Sequence, residues 1–419
     1  DKLVTGVQTC ALPISALVQP MVLMGYSDDP ALLRRTAETV IARTVHPHAP
    51  LEKVRHTHDR IRLAYLSADF HNHPTAALTA ELFESHDRSR FTVIAISHGP
   101  DDGSPMRARL VKAFDEFHDV RGKSDREVAG MMRALEVDIA IDFSGHTMNG
   151  RPGILSWRPA TVQASWLVYP GTTGAPFIDA ILADRIVLPH DQQPFFSERI
   201  VHLPDCYQVN DSTRAIASTP ARAQAGLPQA GFVFCCFNAH WKLTTQMFDI
   251  WMRLLAQLPG SVLWLMDGPG AENLRAAAAA SGIDPARLVF APILPTDEHL
   301  ARHRLADLFL DTLPYNAHTT GSDALWAGLP VLTCKGRSFA GRVGASLLDA
   351  VGLPEMVTES LEDYEALALK LARDGALLKA IHQRLKDNLQ SAPLFDTARF
   401  RRGLEATLTG LLQQPSAWR

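Results

Sequence analysis

Five cysteines in 419 residues leave little for covalent cross-linking. Cys10, Cys206, Cys235, Cys236 and Cys334 include no C-x-x-C spacing, and the adjacent pair lies inside a hydrophobic stretch. That pattern argues against a disulfide framework or a thiolate zinc site and fits buried thiols in a reducing, cytoplasmic compartment. Long apolar runs are missing too; 139–141 and 262–266 fall far short of a membrane span. Charge is nearly balanced, 41 Lys and Arg against 45 Asp and Glu for a net of −4. No positive surplus is available to hold nucleic acid or an anionic membrane. Gly268-Pro269-Gly270 lacks the third glycine of a dinucleotide fingerprint, which disfavours nicotinamide and flavin chemistry. The acidic pairs at 28–29 and 101–102 have no surrounding ligand set, so no metal and no other cofactor is expected.

What is present is a chain rich enough to fold twice. With 46% hydrophobic and 21% charged residues it supports a large core and two domains. Residues 4–14 look like the translation of a sequencing adapter, so 1–15 are set aside and the native N-terminus is expected to be missing. Residues 16–59 read as a helical remnant, periodic over 29–43, and a linker. From residue 60 strand candidates at 61–67, 91–97, 137–143, 162–167 and 198–203 alternate with helical periods at 76–85, 106–114 and 125–135. A second series has strands at 232–237, 262–266, 288–291, 307–310 and 331–333, with helices at 244–257, 271–281, 297–305 and 339–351. Such alternation predicts an α/β protein of two Rossmann-like domains with parallel sheets, 60–212 and 230–395, joined by a linker at 213–229. Closing helices are expected at 361–373, 377–390 and 397–413, the last forming a separate segment, 396–419. The two domains are expected to face a central cleft with the C-terminal ends of their strands.

Three clusters follow predicted strands, where open sheets place ligand groups. The stretch His318-Thr319-Thr320-Gly321-Ser322-Asp323 puts two threonines at the mouth of a short helix, a seat for a phosphate. It also reads as an ordinary capping box, Thr320 with Asp323. Phe237-Asn238-Ala239-His240-Trp241-Lys242 places a lysine where it would neutralise a leaving diphosphate. His299 and Arg302, three apart on a helix, share a face and read either as surface charge or as a nucleotide-base contact. In Asp69-Phe70-His71-Asn72-His73-Pro74, His73 is open to two readings, a general base or acceptor-orienting group and a cap for the following helix. His146, in Ser144-Gly145-His146-Thr147, carries the same ambiguity.

Taken in order, Tyr65-Leu66-Ser67-Ala68-Asp69-Phe70 with His73-Pro74, Tyr169-Pro170-Gly171-Thr172, Val262-Leu263-Trp264-Leu265 and His318-Thr319-Thr320-Gly321 resemble the catalytic region of the O-linked N-acetylglucosamine transferase family, glycosyltransferase family 41, including its bacterial and SPINDLY-like members. The resemblance runs from about residue 60 to 412. It implies a GT-B fold and an inverting, metal-independent transfer of N-acetylglucosamine from a UDP donor to Ser or Thr of a protein or peptide acceptor. By position it implies that Lys242 contacts the diphosphate, His299 and Arg302 the uracil, Thr319 and Thr320 the phosphates and Asp323 the ribose. His318 would lie beside sugar and diphosphate, and His73 would face the acceptor; Asp69 and His146, also in loops after strands, are further acceptor-side candidates. Two positions depart: Thr296 stands where members often carry lysine, and Ala239 where they carry glutamine. The tetratricopeptide repeats that present acceptors are absent apart from the possible remnant before residue 44. A family relative using UDP-glucose on Asn or GDP-fucose on Ser/Thr, a nucleotide-sugar epimerase and a silent nucleotide-sugar-binding module remain open readings.

Overall fold

A computed structural model describes residues 18–46, 48–49 and 58–413; the adapter-like stretch and Cys10 lie outside them. The chain divides into two compact units. Among the described residues, the N-terminal unit holds 18–23, Asp29–Thr213 and 396–413, and the C-terminal unit holds Met24–Asp28 and Arg214–Phe395.

The N-terminal unit is a seven-stranded parallel sheet of β1 (Ile61–Ser67), β2 (Phe91–Ser97), β3 (Glu116–Asp119), β4 (Ile139–Asp142), β5 (Val162–Ser165), β6 (Ala180–Ala183) and β7 (Arg199–His202). Its order is β3-β2-β1-β4-β5-β6-β7, so the direction of winding reverses between β1 and β4. β3 and β6 were not expected. β3 reads Glu-Phe-His-Asp, too polar to announce a strand, and forms because it pairs with β2 from Ile94↔Glu116 to Ser97↔Asp119. The helix Pro30–Thr44, read from sequence as a remnant, buries Leu33, Ala37, Val40 and Ile41, and Ile41 joins the core cluster of this unit with Leu66, Ile96 and Ala140.

The C-terminal unit is a six-stranded parallel sheet of β8 (Val233–Cys236), β9 (Val262–Met266), β10 (Leu288–Ala291), β11 (Leu308–Leu310), β12 (Val331–Cys334) and β13 (Val357–Thr358) in the order β10-β9-β8-β11-β12-β13. Here winding reverses between β8 and β11. The helix expected over 339–351 starts only at Val343, because Gly336 to Arg342 form a tight loop. Cys206, Cys235, Cys236 and Cys334 are buried and form no disulfide.

The closing helix Thr397–Gln413 clusters with the N-terminal unit. Its Glu405, 2% exposed, accepts from His86 Nδ1 at 3.0 Å and from the Asp87 amide at 2.9 Å, and the Tyr65 hydroxyl lies 2.9 Å from His86 Nε2. A carbonyl-free chain of this kind has one consistent proton order: Tyr65 donates to Nε2, and Nδ1–H donates to the carboxylate. Burial holds His86 below its ordinary pKa, so it stays a neutral relay. Removing Glu405 strands His86 and the Asp87 amide in the interior. Glu405→Ala is expected to lower unfolding stability by about 2 kcal/mol in urea titrations; a change within error would mean that the network contributes nothing.

Candidate donor site and its histidines

Open parallel sheets bind ligands beyond the strand C-termini where winding reverses. In the C-terminal unit that point is flanked by the loop after β8, Phe237 to Lys242, and the loop after β11, Asp311 to His318. Asp311, 1% exposed, organises the second loop. One oxygen accepts from the amides of Thr312 (2.7 Å) and Ala317 (2.5 Å), the other from the Thr333 hydroxyl (2.7 Å). Gly344 is obligatory beside it, since a Cβ there would lie 2.6 Å from the carboxylate. Burial raises the Asp311 pKa to about 6 against these bonds. Asn238, 1% exposed, ties the loops together: its amide donates to Thr312 Oγ1 at 2.8 Å, and its carbonyl accepts from the Thr320 hydroxyl.

Lys242 ends a 3₁₀ turn, His240–Lys242, on the β8 loop. Its Nζ donates to the Asn316 carbonyl at 2.9 Å and sits 4.1 Å from the Tyr315 ring centroid and 5.6 Å from that of Trp241. Burial lowers its pKa to about 8, with the Asp311 carboxylate pulling the other way. The ammonium is therefore charged at neutral pH yet poorly hydrated, which strengthens its attraction for an anion. His318 stacks on Tyr315 at 4.6 Å and points Nε2 toward the Ala340 carbonyl, 3.4 Å away.

The helix after His318 spans Thr319–Trp326, and the capping-box reading fails. His318 is the N-cap with no side-chain cap bond, Thr320 lies within the helix, and Asp323 is engaged by Arg214, 109 residues distant in sequence. The first intrahelical bonds run from Gly321 and Ser322 to the His318 carbonyl, so the amides of Thr319 and Thr320 precede the ladder and point out of the helix mouth. The Thr320 hydroxyl proton is committed to Asn238, which leaves backbone amides and the Thr319 hydroxyl as donors there.

His299 and Arg302 part company. Arg302 is 2% exposed; it donates to the Pro292 carbonyl (2.5 Å) and to His299 Nδ1, and lies 4.7 Å from the Phe237 ring centroid. Arg302 is a buried brace, and His299 is the more exposed of the two. A guanidinium only donates, so His299 Nδ1 accepts and its proton resides on Nε2. Burial, then His303 and Arg302, push its pKa down to about 2.

The same reasoning settles two histidines of the N-terminal unit, whose winding reverses between the loops after β1 and β4. His73 is the N-cap of Pro74–Ser85, its Nδ1 accepting from the Thr75 amide at 3.2 Å. The cap reading holds, and with Nδ1 accepting, the neutral ring presents Nε2–H. Asp69 Oδ2 stands 3.7 Å from that Nδ1, its pKa raised by burial. His146 is the opposite tautomer: Nε2 donates to the Thr173 carbonyl at 2.7 Å, leaving the Nδ1 lone pair. Burial lowers its pKa, so that lone pair is unprotonated at neutral pH.

Residues 36–218 and 212–404 match Glycosyl transferase family 41. The chain belongs to this family. It is 35% identical over 409 residues, 93% of its length, to the Arabidopsis thaliana protein named probable UDP-N-acetylglucosamine--peptide N-acetylglucosaminyltransferase SEC, of which it covers 42%. It is 32% identical to the Petunia hybrida SPINDLY protein, matching over 82% of this chain and 38% of that one. The chain thus spans about two fifths of the length of these relatives. A mutant of the Thermobaculum terrenum O-GlcNAc transferase superposes with a TM-score of 0.85 at 30% identity, over 94% of this chain and 76% of the other. Sucrose-phosphate synthase of Thermosynechococcus elongatus, at 13% identity and a TM-score of 0.57 over 84% of this chain and all of its own, shares the fold alone. The fold is GT-B, with two Rossmann-like units and C-terminal helices.

Within this family 41 chain, Arg214 carried no sequence signal, since nothing local links it to Asp323. Asp311, Asn238 and Tyr315 were visible as loop residues, but their partners lie on other loops. His299 is expected to remain neutral at pH 5, with the imidazole ¹⁵N shifts of an Nε2–H ring, and Arg302→Met to release Nδ1 into a tautomer mixture. Protonation of wild-type His299 near pH 6 would contradict the brace.

Proposed function

We propose that this family 41 chain transfers N-acetylglucosamine from UDP-N-acetylglucosamine to Ser or Thr hydroxyls of proteins in the cytoplasm, with inversion and without a metal ion. The observation that carries the reading is the meeting of three ligand groups on one loop of the C-terminal unit. Lys242 sits on it; Asn238 of the same loop holds the helix mouth of Thr319 and Thr320; Phe237 packs against Arg302 and His299. Cation, amides and a neutral N–H donor suit a diphosphate flanked by a nucleotide base. The net charge of −4 favours neither nucleic acid nor a membrane surface as partner.

In the reaction the acceptor oxygen attacks the anomeric carbon from the face opposite the diphosphate, the C–O bond to the β-phosphate breaks, and negative charge grows on the departing oxygen. Lys242 and the amides of Thr319 and Thr320 stabilise that charge where it develops. His299 Nε2–H faces the base, Asp323 with its Arg214 partner serves the ribose, and His318 lines the sugar side. Toward the acceptor, His73 orients through Nε2–H, while His146 Nδ1 and the Asp69 carboxylate are the groups able to take a proton.

Two named relatives support the sugar, since the Arabidopsis and Petunia proteins carry UDP-N-acetylglucosamine in their names. Calorimetry with UDP-N-acetylglucosamine, UDP-glucose and GDP-fucose is expected to rank the first tightest, and Lys242→Ala to abolish transfer with its melting midpoint preserved. Preference for GDP-fucose, or near-normal turnover by Lys242→Ala, would overturn the reading.

A further inference from the structure

The C-terminal unit includes a short segment from far upstream in sequence, Met24–Asp28. Asp28 Oδ2 accepts from the Arg337 amide at 2.6 Å and Oδ1 from the Ser338 amide at 2.8 Å, across some 309 residues of chain. Each oxygen has its own main-chain donor, a charge-assisted arrangement that an amide cannot reproduce. The loop is shaped around the carboxylate. A Cβ on Gly336 would lie 2.8 Å from Oδ2, and one on Gly341 would lie 3.0 Å from Oδ1 and 2.9 Å from the Pro314 carbonyl. Gly336 N–H closes the loop on the Gly341 carbonyl at 2.6 Å.

The same loop faces the proposed donor site. Ala340 lies inside it, and its carbonyl accepts from the Asn316 amide at 3.0 Å and stands 3.4 Å from His318 Nε2. Asn316 in turn gives its carbonyl to Lys242 Nζ and its side-chain oxygen to the Gly344 amide. Displacing the 336–341 loop therefore displaces the acceptor that sets the His318 proton on Nε2, and the residue that seats the lysine.

We propose that Asp28 is a positioning residue of the donor site: by fixing the 336–341 loop it orients His318 and, through Asn316, Lys242. The role rests on the donor-site reading above, but its geometry can be tested without a ligand. In Asp28→Asn one oxygen remains an acceptor and the amide nitrogen confronts a backbone N–H. The expected result is a shift of the His318 imidazole resonances in ¹⁵N spectra of the unliganded protein. Those of His382, bound at 3.0 Å to the Asp307 carbonyl elsewhere in the unit, stay in place. UDP affinity by calorimetry is expected to fall about tenfold. Gly341→Ala, which crowds the loop against Asp28 Oδ1 and the Pro314 carbonyl, is expected to move the same His318 signals and supplies the comparison if Asp28→Asn does not fold. His318 signals unchanged in the folded variant overturn the proposal. If wild-type protein binds no UDP the donor reading fails by itself, and the imidazole comparison still decides the role of Asp28.

Discussion

The C-terminal unit depends on one buried carboxylate. Asp311 emerges at the end of β11 and collects the amides of Thr312 and Ala317 and the hydroxyl of Thr333, so the chain turns back on itself and delivers His318 to the start of a helix. Charge-assisted bonds to backbone amides are strong, and the interior makes them stronger. Close packing gives the loop no alternative, because Gly344 leaves no space between helix and carboxylate. The N-terminal unit repeats the device: Asp142, buried at the end of β4, accepts from the amides of Ser144 and Gly145 and so shapes the loop that carries His146. In both units the carboxylate stands on the strand where winding reverses, and its cost of burial is offset by the loop it orders.

A second layer decides chemistry. Imidazole is ambiguous until a partner fixes one nitrogen, and here each partner is unambiguous. Arg302 leaves His299 an outward donor, the Thr75 amide does the same for His73, and the Thr173 carbonyl makes His146 an acceptor. Three histidines of similar burial thus have different abilities, set by the neighbour that engages one ring nitrogen of each.

Much of the fold was legible in sequence because β1, β2 and β9 are predominantly apolar stretches bounded by polar loops, and their expected limits coincide with the observed ones. β3 and β13 were not legible, since a polar edge strand and a two-residue strand are created by pairing with β2 and β12. At the site, Lys242 and the 318–323 helix mouth stood out because they follow strands. The capping box misled because its acid finds Arg214, a partner no local pattern announces. Tautomers, and the burial of Arg302, needed coordinates: a spacing of three says that two side chains share a face, not which of them reaches solvent.

The most direct test of this account is UDP binding by Asp311→Asn, measured by calorimetry beside the near-ultraviolet dichroism of the unliganded variant. Asparagine keeps the volume but turns one acceptor into a donor, against the Thr312 and Ala317 amides or the Thr333 hydroxyl. The account predicts native-like dichroism with UDP affinity reduced by about tenfold or more. Affinity equal to wild type in the folded variant would contradict it, because the loop that seats Lys242 and His318 would then not depend on that carboxylate.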